Sequence, residues 1–223
     1  MYEIFQEELS ETVYRRIKEM ILKNDLVSGQ KLNQESLAAH LGVSRTPLLS
    51  AFAKLQKEFL IELVPRRGSF VKKLTRAELE NLFDIRIRLE PLGAQGAALH
   101  GSPQEMAELA ATLSECAKQI AMVEANQAHG GSILEADYRF HMAIMRMSRN
   151  EFLYQMISTF NIIIVSNLSG LLKPARQSLQ EHQQILMAIR RRDAPEADRL
   201  MHAHLTDARR QLVEVQLRQA IDG

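Results

Sequence analysis

The stretch NQESLAAHLGVSRTPLLSAFAKL, residues 33–55, decides how the N-terminal part of this chain folds. Asn33 and Ser44 are residue types that cap helix N-termini, and Gly42 interrupts the helical pattern between them. The part after Ser44 repeats apolar residues at helical spacing, at Leu48, Ala51, Phe52 and Leu55. The pattern predicts two short helices joined by a tight turn.

The flanking residues extend this helix pair into a winged helix-turn-helix. An amphipathic helix is predicted from about Glu11 to Lys23, and Asn24 closes it. After the pair come two runs of strand-forming residues, 60–64 and 69–71, separated by the turn PRRG at 65–68. A strand, a basic turn and a second strand form a hairpin wing, so we expect a DNA-binding domain over residues 1–75.

After Thr75 the strand signals stop and helical periodicity continues almost to the end of the chain. Glycine, proline and asparagine divide it into six segments, 76–100, 103–125, 131–148, 151–170, 176–191 and 194–219, with breaks such as the one at Gly130. Six helices joined by short loops predict an all-α bundle over residues 76–223, and a mainly α fold for the whole chain.

Composition sets further bounds on the function. The 223 residues suffice for two domains with separate cores, and a single cysteine excludes an internal disulfide. The start of the chain lacks the features of a signal peptide, and the longest apolar run, 162–165, is too short to span a bilayer, so we expect a cytoplasmic protein without a membrane partner. The net charge is only +1, but basic residues outnumber acidic ones between Arg45 and Arg76.

In a helix-turn-helix, the second helix enters the major groove and its first turn reaches the base edges. Here that turn begins with Ser44, Arg45 and Thr46. Arg45 can pair with a guanine edge or a phosphate, and Thr46 can bond a phosphate or touch a thymine methyl. Arg66 and Arg67 at the wing tip would meet the DNA backbone or the minor groove. Taken alone, the excess of basic residues between Arg45 and Arg76 is equally typical of a solvated surface.

Three stretches, SGQKLNQESLA at 28–38, LGVSRTP at 41–47 and PRRG at 65–68, resemble the DNA-binding domain of the GntR family of transcription regulators. The resemblance covers about residues 8–74 and implies that Arg45, Thr46 and Gly68 contact DNA.

The chain departs from the family pattern at two places. It has Leu48-Leu49-Ser50-Ala51 where the family usually has Val-Arg-Glu-Ala, and Phe59 stands where glycine is usual. Leu49 thus replaces an arginine that commonly reads a second base, a contact that contributes about 1–3 kcal/mol of discrimination. The operator sequence of relatives therefore cannot be carried over to this chain.

A second pattern lies in the helical region. Asp137 and His141 stand four residues apart on one apolar helix face, and His182 and His204 fall on the apolar faces of two other helices, whereas His202 falls on a polar face. One inward histidine is more often a hydrogen-bonded core residue than a ligand. Three of them with a carboxylate favour a shared divalent cation, because burying them unpaired costs free energy. The periodicity alone leaves both interpretations open.

The stretches DYRFH at 137–141, EHQQIL at 181–186 and HL at 204–205 resemble the effector-binding domain of the FadR subgroup, the FCD type, over about residues 76–219. In the metal-binding members of that family, an aspartate and three histidines at these places hold the ion. The resemblance implies one divalent metal ion per chain on Asp137, His141, His182 and His204. Three imidazoles favour zinc, nickel or another late first-row ion over magnesium or calcium.

Arg86 falls on the inward face of its predicted helix, and RIRLE at 86–90 resembles the Arg-x-x-Leu-Glu of the same family. A buried arginine near a cation is explained by an anion between them, so we hypothesise a small carboxylate effector that bridges the metal and Arg86. A structural ion pair between Arg86 and Glu90 is the alternative explanation.

Together these features predict a metabolite-responsive transcription regulator, by family default a repressor. Because one winged helix contacts only a few base pairs, we expect a homodimer on an inverted-repeat DNA operator. A metal-dependent hydrolase or lyase on a helical bundle is one alternative, but it lacks a nucleophile motif, a phosphate loop and a well-spaced general base, and it leaves the winged helix unexplained. A DNA-binding protein with a purely structural dimerisation domain is the other.

Overall fold

The computed structural model describes residues 2–125, 131–168 and 173–221. Over these residues the elements in chain order are α1 (Tyr2–Leu22), β1 (Lys31–Leu32), α2 (Gln34–Leu41), α3 (Arg45–Lys57), β2 (Ile61–Val64), β3 (Gly68–Val71), α4 (Arg76–His100), α5 (Pro103–Glu124), α6 (Gly131–Met147), α7 (Glu151–Asn167), α8 (Ala175–Arg190) and α9 (Ala194–Ile221). The predicted mainly α fold is confirmed. The predicted break at Gly130 and the segment end at residue 170 lie outside the described residues.

The chain forms two compact units. The first comprises Met1–Leu74 and Ile162–Asn167, and the second comprises Thr75–Asn161 and Leu168–Gly223.

None of the helices in the described ranges combines the length and the hydropathy needed to cross a membrane.

The first unit is the predicted winged helix-turn-helix. Its three strands form an antiparallel sheet in the order β1-β3-β2, with Ile61 opposite Val71 and Val64 opposite Gly68 across the wing. Its helices meet around the fully buried side chains of Ile17, Ile21, Leu48, Leu55 and Leu60. The sequence analysis did not predict β1, because two residues carry no periodicity and only pairing with β3 makes them a strand.

Local signals explain both ends of α2. The Asn33 side chain accepts hydrogen bonds from the backbone N–H groups of Glu35 and Ser36, both at 3.0 Å, and Gly42 ends α2 with a left-handed φ of 67°. Ser44 has the extended backbone of an N-cap, but its side chain makes no capping bond, which corrects the prediction. Ser44 is exposed, so water can satisfy the first amides of α3 instead.

The first helix is longer than predicted, because α1 begins at Tyr2 and not near Glu11. No glycine or proline stands between residues 2 and 11 to stop it, so the helix can extend toward the N-terminus beyond its amphipathic part.

The last turns of α7 also belong to the first unit. The Asn167 side-chain oxygen accepts from the backbone N–H of Leu74 and from the Ser28 hydroxyl, both at 2.8 Å. Its amide nitrogen donates to the Lys72 carbonyl at 3.2 Å. This one side chain therefore satisfies main-chain groups of residues 72–74, just before α4 begins.

In the second unit, the described residues form α4, α5, α6, the part of α7 before Ile162, α8 and α9, in the all-α arrangement that the sequence predicts. Helix α4 packs along α9, α5 packs on α6 and α8, and α8 packs on α9. Thr75 caps α4 in a capping box with Glu78. The largest hydrophobic cluster includes Phe140, Ile144, Met145, Ile157, Ile185, Ile189, Ala197 and Met201.

A glycine lets α4 and α6 approach closely. A Cβ atom at Gly96 would lie 2.8 Å from the Ser148 Cβ and 3.1 Å from the Ser148 Cα, so any side chain there would push the helices apart. The close approach also concerns two buried polar side chains, because Glu90 on α4 contacts His141 on α6.

We predict that Phe59→Gly stabilises the protein. Phe59 follows α3 with φ 59°, in the left-handed region, and its side chain is 67% exposed, so the ring contributes little packing. Left-handed backbone costs a residue with a Cβ about 1–2 kcal/mol. Glycine removes that cost but adds unfolded-state entropy, so the free energy of unfolding in urea should rise by up to about 1 kcal/mol. Phe59→Ala is the matched control, since it removes the ring and keeps the Cβ. An equal gain from alanine would show that backbone strain is not the cause.

Candidate functional site

Three histidines from three helices meet inside the second unit. His141 on α6, His182 on α8 and His204 on α9 are only 1%, 2% and 5% exposed. One ligand nitrogen from each ring can be chosen so that all three lie within 4.8 Å of one another. His202, two residues before His204, is exposed. The helical spacing thus separated the inward from the outward histidine correctly.

Asp137 lies one turn before His141 and faces the same point. Its Oδ1 is 3.6 Å from the Nε2 of His182, and its Oδ2 is 3.9 Å from the Nε2 of His141. The Nε2 atoms of His182 and His204 are 3.2 Å apart. The structure therefore brings together the four residues that the sequence analysis selected as metal ligands.

The donor set fits a divalent cation that prefers nitrogen. Ligand atoms about 2.0–2.1 Å from a tetrahedral zinc ion lie roughly 3.3 Å from one another, close to the separations of these nitrogens and oxygens. The buried Nε2 of His141 has no hydrogen-bond partner among the described residues. A buried nitrogen without a partner is costly in an apolar core, and coordination to a cation would remove that cost.

Burial keeps two of these rings neutral. It lowers the pKa of His182 well below its usual value, and the charges of His204 and His141 lower it further. Burial also lowers the pKa of His204, although its hydrogen bond to Glu181 acts in the opposite direction. Neutral imidazole is the form that ligates metals, so the site is ready to bind an ion at neutral pH.

Glu90 on α4 is a site residue to which the sequence analysis gave only a structural role. It is fully buried, and its Oε2 lies 2.6 Å from the Nδ1 of His141. Burial alone would raise the pKa of Glu90, but the charges of Arg86 and His141 and their hydrogen bonds outweigh it, and the pKa is held well below its usual value. Glu90 is therefore an ionised carboxylate in the core.

Arg86 is buried in the same place, and its Nε donates to the Oε1 of Glu90 at 2.5 Å. This is the ion pair that the sequence analysis kept as an alternative. A guanidinium has five N–H donors, so the pair with Glu90 does not exhaust Arg86. Whether Arg86 also binds an effector stays a prediction.

A second carboxylate, Glu181 on α8, was missed as a site residue. Its Oε2 lies 2.6 Å from the Nδ1 of His204 and also contacts the ammonium group of Lys173, which is buried. Burial would raise the pKa of Glu181, but the hydrogen bonds from His204, Lys173 and Gln177 lower it to about 2. Glu181 stands beside His182 in the sequence, yet helical periodicity cannot show that it touches a histidine on another helix.

The predicted DNA-contacting residues lie on the surface of the first unit. Ser44, Arg45 and Thr46 are exposed at the start of α3, and Arg66 and Arg67 are exposed at the tip of the β2–β3 hairpin.

Neighbouring groups hold this surface in shape. The Nε and Nη2 atoms of Arg45 donate to the Gln34 side chain at 3.2 and 3.1 Å. Gly68 has φ 105°, which side chains rarely adopt, so glycine is needed where the wing turns. Leu49, also on α3, is 43% exposed.

Comparisons with known proteins agree with this architecture. Residues 9–71 match the family described as bacterial regulatory proteins, gntR family, and residues 81–207 match the FCD domain. The HTH-type transcriptional regulator YdhC of Bacillus subtilis (strain 168) is 27% identical over 195 residues, 86% of this chain and 85% of its own. The HTH-type transcriptional repressor RspR of Escherichia coli (strain K12) is 26% identical over 202 residues, 89% of this chain and 86% of its own.

A solved structure of E. coli McbR/YncC shares the fold. It aligns with a TM-score of 0.77 over 95% of this chain and 98% of the other, at 22% identity.

Proposed function

The chain belongs to the gntR family of bacterial regulatory proteins and carries an FCD domain, and on that premise we propose that it is a metabolite-responsive repressor with a metal centre in its helical unit. Transcription regulation is the shared function of the family and of the named relatives, which are regulators and not enzymes. The hydrolase or lyase alternative is therefore set aside. The metal, the effector and the direction of regulation are the parts that we propose.

One observation carries the metal proposal. Three imidazoles with exposures of 5% or less point ligand nitrogens at one place, and the Nε2 of His141 has no partner there among the described residues. A core of aliphatic side chains would be cheaper to build at these positions than three buried rings. We propose that Asp137, His141, His182 and His204 hold one zinc or nickel ion per chain.

We propose a small carboxylate as the effector. The bound ion would offer an open coordination position to one carboxylate oxygen. Arg86, which is 6% exposed and linked through Glu90 to His141, would bind a second oxygen with its remaining N–H donors. Effector binding would change the packing of the helical unit and lower the operator affinity, with a coupling of about 1–3 kcal/mol.

The DNA side of the proposal rests on the exposed residues of α3 and the wing. Ser44, Arg45 and Thr46 would contact base edges and phosphates in the major groove, and Arg66, Arg67 and the Gly68 turn would contact the backbone or the minor groove. Two copies of the chain, paired as a homodimer, would bind an inverted repeat.

His204→Ala should remove the metal, whereas His202→Ala should not. His204 is buried in the cluster, and His202 is exposed on the same helix. The two variants therefore remove the same side chain from two different faces of α9. Elemental analysis of each variant after dialysis measures the metal content. We expect about one ion per chain in the parent and in His202→Ala, and a large loss in His204→Ala. Equal metal content in the two variants would contradict the proposed centre.

Arg45→Ala should weaken operator binding by about 1–3 kcal/mol, since it removes a base or phosphate contact. Arg66→Ala and Arg67→Ala should each reduce the slope of log affinity against log salt by about one. Fluorescence anisotropy on a duplex selected by the purified protein from a random library gives both quantities. Arg199→Ala is the control, because Arg199 is an exposed arginine in the helical unit. If Arg45→Ala binds as tightly as Arg199→Ala, the recognition-helix assignment is wrong.

A small carboxylate should stabilise the zinc-loaded protein and release it from operator DNA. A panel of carboxylic acids screened by thermal unfolding, followed by anisotropy on the selected duplex, measures both effects. Arg86→Lys keeps the charge but loses the planar fork, so it should abolish the response. Arg88→Lys, on the exposed face of α4, should respond like the parent. A normal response in Arg86→Lys would make Arg86 only the partner of Glu90. Zinc binding with no response to any acid would favour the purely structural dimerisation domain.

A further inference from the structure

Two carboxylates outside the proposed ligand set contact the Nδ1 atoms of two of the three histidines. We infer that Glu90 and Glu181 are positioning residues, each of which holds the Nδ1 of one histidine so that its Nε2 is turned toward the shared cation. The inference rests on the proposed metal function and deepens it, because it assigns the groups that set the metal affinity.

The first contact joins α4 to α6. The Oε2 of Glu90 lies 2.6 Å from the Nδ1 of His141, and both side chains are essentially fully buried. A carboxylate only accepts hydrogen bonds, so the Nδ1 must carry the proton, and in the neutral ring, which is the form that ligates metals, the Nε2 then keeps its lone pair. That same Nε2 has no hydrogen-bond partner among the described residues and lies 3.9 Å from Asp137. The tautomer fixed by Glu90 is therefore the one that leaves the inward nitrogen free to coordinate.

The second contact joins α8 to α9. Two groups approach the Nδ1 of His204, the Oε2 of Glu181 at 2.6 Å and the Nζ of Lys173 at 3.3 Å. An ammonium group has no lone pair to accept a proton, and it is the more distant of the two, so the carboxylate contact sets the tautomer. His204 thus donates from Nδ1 to Glu181 and turns its Nε2 to within 3.2 Å of the Nε2 of His182.

Lys173 restrains the Glu181 carboxylate and does not set the tautomer of the His204 ring. Its ammonium group contacts Glu181, donates to the His204 backbone carbonyl at 3.0 Å and lies 3.5 Å from Asp207. Lys173 and the Nδ1 of His204 thus contact the same oxygen of Glu181, and together they restrain the carboxylate. The chain Lys173–Glu181–His204 parallels the chain Arg86–Glu90–His141, with a buried cation, a glutamate and an imidazole in each.

The third ring is held in a different way. His182 stacks on Phe140 with ring centroids 4.0 Å apart and planes 21° from parallel. Stacking restrains the ring plane, but the Phe140 ring offers the imidazole no carboxylate acceptor. Hydrogen bonds from a ligating histidine to a carboxylate both orient the ring and raise its basicity, and removing such a partner typically weakens metal binding by about 10–100-fold.

The experiment is a zinc titration of the full chain in competition with a chromophoric chelator. Glu181 is the main target, because its side chain is 25% exposed and the glutamine substitution is close to isosteric. We expect Glu181→Gln, which keeps an acceptor oxygen, to weaken zinc binding about tenfold, and Glu181→Ala to weaken it toward about 100-fold. Glu90→Gln tests the second contact independently.

Glu135→Gln is the matched control. Glu135 is a 32% exposed glutamate two residues from Asp137, and it forms an ion pair with Arg139 on the same helix. Unfolding of each metal-free variant in urea measures any purely structural effect, which would lower stability without changing the zinc Kd of the folded protein. If Glu181→Ala does not fold, Glu181→Gln decides the question.

The outcomes separate the two proposals. A parent protein that binds no zinc refutes the metal centre itself. A parent that binds zinc, with Kd values for Glu181→Gln and Glu90→Gln within about twofold of Glu135→Gln, overturns the positioning role and leaves the metal centre standing.

Discussion

Buried polar side chains impose the strictest constraint on the helical unit. Three imidazoles, two glutamates, an arginine and a lysine lie at or near the centre of a bundle whose hydrophobic cluster is made of aliphatic, aromatic and sulfur-containing side chains. All of them except the partly exposed Glu181 are almost completely buried, and a buried polar group left unpaired costs about 1–3 kcal/mol or more. The register of the helices therefore matters, because it supplies the partners across the bundle. A small slide of α4 against α6 would separate Glu90 from His141 and leave the buried Nδ1 of His141 without its acceptor.

The surrounding packing supplies that register. The absence of a side chain at Gly96 allows α4 to approach α6 at Ser148, and the capping box of Thr75 and Glu78 fixes where α4 begins. On the other side, Lys173 bonds the main chain of α9 at His204 and the side chain of Glu181 on α8. These are backbone-level restraints on the helices that carry the histidines, and they make the polar cluster a structural part of the fold as well as a candidate binding site.

In the first unit, the proposed site residues lie on the surface and not in the core. Its largest fully buried side chains are apolar, and the side chains proposed to meet DNA, those of Ser44, Arg45, Thr46, Arg66 and Arg67, are exposed. Such residues can change without unfolding the domain. Leu49 and Phe59, the two departures from the family pattern, are both exposed. Phe59 nevertheless occupies a left-handed backbone position, which explains why the family places glycine there.

The sequence by itself determined which face of its helix each histidine occupies and where most helices and the wing lie, although it missed the start of α1 and wrongly gave Ser44 a capping bond. Covalent geometry fixes which side of a helix each residue occupies, so spacing alone placed His141, His182 and His204 inside and left His202 outside, and it located the wing turn. Only the tertiary structure decided the partners across helices. That Glu181 meets His204, that Lys173 holds Glu181 and that Glu90 is shared by Arg86 and His141 depend on how four helices pack, since residues far apart in sequence meet only after their apolar faces are buried. The strand β1 follows the same rule, because two residues become a strand only when β3 is beside them.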